Sequence, residues 1–163
     1  MTASAAAPAD EHWMRLAHQV SQEAFDRGDW PAGAAIVAQG RCLGTGQNRQ
    51  VSAGDPTQHA ETDAIRAAIA ANGAQALRGA TLYSTMEPCP MCAAALRLAG
   101  VSRVVSSLRM AEMGRKDLGG YSLEAFCRLL GWQPDLDFGV LHGDCLELRK
   151  RWGGDSLQSK GEP

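Results

Sequence analysis

Apolar residues in the first part of the chain recur at the spacing of an amphipathic helix. The pattern predicts a helix that runs from Asp10, a suitable N-cap, to about Asp26 and stops before Gly28. Its apolar face comprises Trp13, Leu16, Ala17, Val20 and Ala24. The following stretch, GAAIVAQGRCLGTGQN, contains two short apolar runs on either side of a Gly-Arg turn. Such runs are typical of neighbouring antiparallel strands, so a hairpin is expected here.

Helix and strand patterns alternate through the middle of the chain. A helical pattern extends from Thr57 to Asn72, RGATLYST predicts a strand, and CAAALRLAG predicts a helix closed by Gly100. A further strand, SRVVSS, follows. This alternation predicts that consecutive strands pair in parallel and are joined by right-handed crossovers, with helices on both faces of the sheet. The predicted fold class is therefore α/β, a three-layer α/β/α sandwich around a mixed five-stranded sheet.

Beyond Leu108 the pattern predicts a loop, a short helix, a last strand and a last helix. The corresponding segments are RMAEMGRKDLGG, YSLEAFCRLLG, DFGVLHG and DCLELRKRW. Segments 1–9 and 153–163 are rich in small, polar and turn-forming residues, so both are expected to be flexible tails. Residues 1–163 together are expected to form a single domain.

The charge balance narrows the classes of partner. With a formal net charge of -2 and a pI near 6.1, the chain offers no overall attraction to a phosphate backbone, and a polynucleotide partner is not expected. Five cysteines without a signal-peptide start favour a reducing, cytoplasmic location. No uninterrupted apolar stretch reaches the roughly 20 residues of a membrane span, so no membrane association is expected.

Two short segments carry residues that bind metals. His59 lies at the start of one predicted helix, and Cys89 and Cys92 lie at the start of another, beside prolines. Zinc takes thiolate and imidazole ligands in a tetrahedron, and catalytic sites keep three protein ligands so that water occupies the fourth position. Glu61 is placed to carry a proton from that water. These are the parts that a hydrolytic deamination uses, so the sequence predicts a catalytic zinc site.

Other roles for the same residues stay open at this point. A Cys-x-x-Cys pair also occurs in structural zinc sites and in redox pairs. A structural site requires a fourth ligand, and Cys42, Cys127, Cys145 or His142 are the residues that would supply it. The three cysteines fall in strand or helix patterns, where a small buried apolar role is the simpler interpretation.

The motifs HAE at 59–61 and PCPMC at 88–92 resemble those of the cytidine and deoxycytidylate deaminase superfamily. Four segments, WPAGAAIV, GTGQNR, DPTQHAETDAIR and ATLYSTMEPCPMC, are similar in order and spacing to one branch of it. That branch holds guanine deaminases, fungal cytosine deaminases and tRNA adenosine deaminases, and the similarity extends from about Trp13 to Val105. It implies a cytidine deaminase-like fold and, because relatives are usually dimers, a homodimer.

The resemblance also implies roles for individual residues. Glu61 is the implied catalytic proton shuttle. Asn48, in the turn before the first motif, is implied to bind the substrate base, and the backbone of Gly33 and Ala34 is implied to line the pocket. The implied ligands of the Zn²⁺ cofactor are His59, Cys89 and Cys92.

The C-terminal region suggests two further pocket residues. Trp152 and Asp155 resemble an aromatic and an acid that close the pocket in fungal cytosine deaminases, although their spacing from Cys145 differs. Both are kept as candidate substrate-binding residues. The basic run 149–151 is interpreted as a solvated helix end, and Glu87 as a hydrogen-bonding residue of its loop rather than a catalytic one.

These observations predict a zinc-dependent hydrolase that releases ammonia from an amino-substituted nucleobase or a related small heterocycle. A guanine-like substrate is favoured and cytosine comes next. One alternative is a tRNA adenosine deaminase, which converts adenosine to inosine, although the sequence MAEMGRKDLGG differs from the loop those enzymes usually carry. An alternative of another class is a non-catalytic scaffold or partner subunit that contains zinc.

Overall fold

The computed structural model describes residues 8–115 and 117–153. The strands are β1 (Gly33–Ala38), β2 (Arg41–Gln47), β3 (Thr81–Met86), β4 (Arg103–Leu108) and β5 (Asp135–Phe138). The helices are α1 (Pro8–Arg27), α2 (Gln50–Ala53), α3 (Ala60–Asn72), α4 (Pro90–Ala99), α5 (Leu123–Leu129) and α6 (His142–Gly153). Short 3-10 turns cover Ala74–Leu77 and Met110–Met113.

The five strands form one mixed sheet in the order β2-β1-β3-β4-β5. Strand β1 is antiparallel to both of its neighbours, while β3, β4 and β5 pair in parallel. The expectation of a mixed sheet is therefore confirmed. The expectation that each crossover joins adjacent parallel strands is wrong for the first one, because the hairpin places β1 between β2 and β3.

Two apolar cores, one on each face of the sheet, give the predicted three layers. Side chains alternate along β1, so Ile36 belongs to the core under α3, α4 and α5, and Ala35 belongs to the core under α1. Helix α6 packs on the same side as α1 and contacts both α1 and β4. The central strands are buried on both faces, which explains their nearly continuous apolar sequences.

Three predicted boundaries are wrong at the chain ends. Asp10 is not an N-cap, because α1 begins at Pro8 and the Asp10 carboxylate is buried, where it accepts hydrogen bonds from Tyr83 and Arg103. The tail predicted to end at residue 9 therefore loses two residues to α1, and Gly153 belongs to α6. The remaining tail residues, 1–7 and 154–163, lie outside the described residues.

The last strand is also displaced from its predicted position. Strand β5 covers Asp135–Phe138, whereas the segment after it turns at Gly139 and enters α6 at His142. The apolar Val140 that suggested a strand is instead buried in the core beside α1. No helix in the described part of the chain combines the length and apolar character that a membrane span requires.

Gly46 allows β2 and α3 to approach unusually closely. A Cβ atom at this position would lie 2.1 Å from both the carbonyl oxygen of Ala60 and the backbone nitrogen of Ala64. Both atoms are backbone atoms of α3 and cannot move without moving the helix. His59 is the residue immediately before α3, so the close contact between β2 and α3 also determines the position of the His59 side chain.

Gly46→Ala is expected to lower the free energy of unfolding by about 1–3 kcal/mol, because α3 must move away from β2. Urea-induced unfolding of the variant measures this loss. Gly143→Ala is the matched control, because a Cβ atom there meets nothing within 4 Å. Equal stability of the two variants would contradict the close contact.

Candidate active site

The sheet topology brings the two metal-binding motifs to one edge of the fold. His59 occupies the N-cap position of α3, and Cys89 occupies the N-cap position of α4, with Pro90 as the first helical residue. Strands β2 and β3 run in the same direction, so the segments that follow them leave the same edge of the sheet. Cys92 lies in the first turn of α4. Helix N-termini favour the thiolate form of cysteine, which is the form that binds zinc.

The three side chains are spaced for a tetrahedral zinc ion. The His59 Nδ1 atom lies 3.5 Å from the Sγ atom of Cys89 and 3.5 Å from that of Cys92. Tetrahedral bonds with Zn–S of about 2.3 Å and Zn–N of about 2.0–2.1 Å separate nitrogen and sulfur ligands by about 3.5 Å. The donor set therefore fits Zn²⁺ in distance and in chemistry.

The ligand set has the size expected of a catalytic zinc site. Among the described residues, the only group of three or more ligand residues whose ligand atoms all lie within 4.8 Å of one another is His59, Cys89 and Cys92. None of the residues considered as a fourth structural ligand belongs to this group. Catalytic zinc sites use three protein ligands, whereas structural sites use four.

Without a metal, the ligands share protons among themselves. A hydrogen bond from Cys92 lowers the pKa of the Cys89 thiol, and the same bond raises the pKa of the Cys92 thiol. Burial acts to lower the pKa of His59, but the hydrogen bond with Cys89 and the charge of Glu61 outweigh it, so this pKa is raised. Zinc requires deprotonated thiolates and a neutral imidazole, so metal binding displaces these protons.

Glu61 is a buried carboxyl group beside the ligands. It is 5% exposed, lines the same cavity as His59, and accepts a hydrogen bond of 3.1 Å from the Ser84 hydroxyl. Burial raises the pKa of Glu61 above its ordinary value, with the His59 imidazolium opposing that rise. A carboxyl group whose pKa is raised holds a proton more readily than an ordinary carboxyl group, which favours the role of a proton shuttle.

The ligands and Glu61 open into a cavity of about 550 Å³. This volume lies within the range of about 300–1,000 Å³ that small-molecule sites occupy. One wall is formed by Trp30, Pro31 and Ala32. The rim is solvent-exposed at Val51 and Pro56. The remaining lining residues are Asn48, Gln50, Gly54, Ala60, Met86, Glu87, Met110, Met113, Arg115, Asp117 and Arg149.

Asn48, which the resemblance implies to bind the substrate base, lines this cavity. Its side chain is buried and is oriented by Gln50, whose backbone N–H donates to Asn48 Oδ1 at 3.0 Å and whose Oε1 accepts from Asn48 Nδ2 at 2.7 Å. An amide has two donors and two acceptor lone pairs, so Asn48 can hydrogen-bond a base while it keeps its two hydrogen bonds to Gln50. Gly33 and Ala34 are buried in β1, and the wall is built instead by the residues just before them.

The C-terminal candidates fall in different places. Trp152 packs against Phe25 and Trp30 with ring centroids 6.2 and 6.4 Å apart, and of these three rings only Trp30 lines the cavity. Asp155 lies outside the described residues. The interpretation of 149–151 as a solvated helix end is wrong for Arg149, which is 2% exposed and lines the cavity. Arg149 follows the buried Cys145 by four residues, so the two side chains lie on the same face of α6. Helical periodicity could therefore have predicted that Arg149 is buried.

A buried carboxylate braces the loop that carries Cys89. Glu87 is 1% exposed and accepts hydrogen bonds from the backbone N–H groups of Met110 at 2.8 Å and Leu123 at 2.7 Å, and from Arg109 Nε at 2.9 Å. Tyr121 donates a hydrogen bond of 2.6 Å to the Pro88 carbonyl. The segment after β4 is thereby tied to the segment after β3, as a structural role for Glu87 requires.

Comparison with known proteins places these features in a family. The family model for the cytidine and deoxycytidylate deaminase zinc-binding region matches residues 7–108. The chain belongs to this family. A tRNA-specific adenosine deaminase of Agrobacterium fabrum is 34% identical over 146 residues, which cover 86% of this chain and 91% of that enzyme. The guanine deaminase of Bacillus subtilis is 47% identical over 66 residues, which cover 40% of this chain and 42% of that enzyme.

A solved structure supports the same fold. It comes from a study of A-to-I editing by tRNA:A34 deaminases at the wobble position of transfer RNA, and it superimposes with a TM-score of 0.71 at 34% identity. The superposition covers 84% of this chain and 98% of that chain. The cytidine deaminase-like fold is therefore confirmed.

Glu87→Gln is expected to lower the free energy of unfolding by about 2–4 kcal/mol, because an amide cannot accept all three hydrogen bonds and leaves buried donors unsatisfied. Zinc affinity should fall as well, since the hydrogen bonds of the Glu87 carboxylate hold the segment beside Cys89 in place. Urea-induced unfolding and chelator competition measure the two effects.

Glu124→Gln serves as the control for this substitution. Glu124 pairs with the same arginine, Arg109, but its side chain is 35% exposed. Its loss should cost no more than about 1 kcal/mol and leave zinc affinity unchanged. A larger loss of unfolding free energy in Glu124→Gln than in Glu87→Gln would show that the buried Glu87 carboxylate is not the stabilising group.

Proposed function

We propose that this protein is a zinc-dependent hydrolytic deaminase whose substrate is an amino-substituted purine. The observation that carries the proposal is the coincidence of a three-member zinc ligand set and a buried carboxyl group of raised pKa on one cavity. His59, Cys89 and Cys92 would hold the ion. When bound in such a site, zinc supplies a Lewis acid that activates water for attack on the carbon bearing the amine.

The protein's own groups supply the proton transfers. Glu61 takes one proton from the attacking water and delivers it to a ring nitrogen of the substrate. It then takes the second proton from the hydroxyl group now bonded to the carbon and delivers it to the departing amine, which leaves as ammonia as the carbonyl forms. Ser84 holds one carboxylate oxygen of Glu61. Asn48 is proposed to orient the base, and the wall at Trp30 provides an aromatic surface for it.

Adenosine in tRNA is the first candidate substrate. It is supported by a relative that is matched over 91% of its length and carries the name tRNA-specific adenosine deaminase. The guanine-like substrate expected from the sequence has weaker support, because the named guanine deaminase is matched over 42% of its length. The comparisons thus favour the alternative over the first expectation.

A small aminopurine such as guanine remains a second candidate for a specific reason. Many arginines at the surface are neutralised by nearby acids, including Arg27 by Asp29 and Arg115 by Asp117. Binding to a polynucleotide depends on cations that can neutralise phosphates. An overall charge of -2 and internal ion pairs therefore favour a substrate without a long phosphate backbone.

The free energy that the burial of Glu61 costs argues against a non-catalytic role. A buried carboxyl group loses hydration on folding, and Glu61 makes no contribution to the zinc ligand set that would offset this cost. A scaffold would be more stable with an uncharged residue at this position. The retained carboxyl group therefore favours catalysis.

Assembly as a homodimer belongs to the same proposal. Helices α3 and α4 leave Ile69 and Leu98 exposed, at 38% and 89%, and both residues line one shallow cavity. A second copy covering this apolar surface would remove it from water. Sedimentation at assay concentration measures the assembly state.

Glu61→Gln is expected to lower kcat by about 10²–10⁴-fold with zinc content unchanged, because it removes the proton shuttle and no metal ligand. The metal-free variant should also gain stability over the metal-free wild type as pH rises above 4.5, the ordinary pKa of a glutamate carboxyl group. The raised pKa means that the native carboxyl holds its proton while the unfolded one loses it, so the wild type is progressively destabilised across that range. Ammonia release and urea unfolding measure the two effects, and unchanged turnover would defeat the mechanism.

A substrate panel separates the two candidates. The zinc-loaded protein is incubated with a tRNA anticodon stem-loop containing adenosine, with adenosine, adenine, guanine and cytosine, and ammonia is measured. Release from the stem-loop alone, weakening steeply with salt, supports the tRNA substrate. Release from guanine supports the small-base substrate, and no release from any purine contradicts the proposal.

A further inference from the structure

A buried carboxylate that takes no part in the zinc chemistry lies at the edge of the cavity. Asp29 is 0% exposed and immediately precedes the cavity wall that begins at Trp30. Burial acts to raise the pKa of Asp29, but hydrogen bonds from Ser52 and Arg27 outweigh it, so this pKa is lowered and the group stays charged. A buried charge costs free energy unless it is paired and hydrogen-bonded. The partners of Asp29 therefore show what its charge stabilises.

Most of the hydrogen bonds that Asp29 accepts come from α2. Its Oδ1 atom accepts from the backbone N–H groups of Val51 at 3.0 Å and Ser52 at 2.8 Å, and its Oδ2 atom accepts from the Ser52 hydroxyl at 2.7 Å. These are the second and third amides of the helix, which an N-cap side chain ordinarily satisfies. Arg49 occupies the N-cap position, but its side chain makes no such bond. Asp29 therefore caps α2 from a distant part of the chain.

Helix α2 has no packed face of its own that would hold it in place. It consists of four residues, and none of them is buried. A single turn without tertiary packing is unstable, because helix nucleation fixes several residues for one hydrogen bond. Yet Gln50 and Val51 of this helix line the cavity, and Pro56 lines it just beyond. The position of this part of the cavity lining therefore depends on Asp29.

Asn48 is connected to the same carboxylate by two routes. Gln50, the first residue of α2, exchanges two hydrogen bonds with the Asn48 side chain, so the orientation of this amide follows the position of the helix. Arg27 provides the second route, because its Nε atom donates to Asp29 at 2.7 Å and its Nη2 atom donates to the Asn48 carbonyl oxygen at 2.8 Å. A displacement of α2 would thus reorient the amide that is proposed to bind the base.

We infer that Asp29 is a positioning residue for substrate binding, whose buried carboxylate fixes α2 and, through Gln50, the amide of Asn48. It acts through these groups and not by contact with the substrate. The inference rests on the proposed function for what the cavity binds, and it adds a residue on which the affinity depends. Helix α2 and Asn48 take no part in the proton transfers of Glu61, so their displacement should weaken binding more than it slows the chemical step.

Amide hydrogen exchange of the zinc-loaded protein tests the positioning without any substrate. Asp29→Asn replaces one acceptor oxygen by a donor, so segment 50–55 is expected to exchange about tenfold faster or more, while α3 exchanges as in the wild type. Ser52→Ala removes one hydrogen bond at an exposed position, where folding is not at risk, and should accelerate exchange of the same segment about threefold. Asp26→Asn, at an exposed position of α1, is the matched control and should change neither segment.

Steady-state kinetics on the substrate that the panel identifies test the effect on binding. Asp29→Asn is expected to raise KM about tenfold, with kcat within about threefold of the wild type and zinc content unchanged. Ser52→Ala should raise KM about twofold, and Asp26→Asn should leave both constants unchanged. A residue that only stabilises the fold would not change KM while sparing kcat and zinc content.

The outcomes separate this inference from the proposed function. Unchanged exchange of segment 50–55 in both variants would overturn the inference, and so would faster exchange with an unchanged KM. Faster exchange throughout the protein, with losses of kcat and zinc, would mean that Asp29 stabilises the whole fold and would also overturn it. If Asp29→Asn does not fold, exchange and KM of Ser52→Ala decide. A protein that deaminates no purine contradicts the proposed function, and exchange of segment 50–55 then still decides whether Asp29 holds α2.

Discussion

The site depends on one separation, the 3.5 Å between the His59 imidazole nitrogen and each of two sulfurs. The three residues come from two segments about 30 positions apart, so the distance is set by where α3 and α4 begin. Those starts are set by the sheet, since β2 and β3 run in the same direction with β1 between them. Gly46 sets how close α3 can lie to its strand. Metal binding is therefore a property of the packing between layers.

Two buried carboxyl groups near this site, those of Glu87 and Glu61, differ in how they are stabilised. Glu87 is buried but fully engaged, with three donors directed at its carboxylate, so its charge contributes to the fold. Glu61 is also buried and accepts a hydrogen bond from the Ser84 hydroxyl, but burial raises its pKa. The protein thus stabilises one carboxylate strongly and leaves the other weakly solvated.

The sequence predicted features whose cause is local. Helical periodicity located α1 and α3, and the residues bordering each helix start predicted where the ligands lie. The sequence could not predict that β1 separates β2 from β3, because strand order arises from long-range pairing. Asp10 shows the same limit: its type and position favour an N-cap, but Tyr83 and Arg103 bind it from distant strands. Tertiary partners override local propensity where a polar group is buried.

Arg149 shows the same limit of local propensity in α6. A basic run at a helix end is usually solvated, and Lys150 and Arg151 are indeed exposed. Arg149 differs because it falls on the face of α6 that Cys145 and Leu148 bury, so the helix carries its charge inwards to the cavity. The metal ligands and Glu61 suit any aminated heterocycle and cannot distinguish one from another. Discrimination must come from the rest of the cavity wall, which includes the aromatic ring of Trp30 and the amide of Asn48.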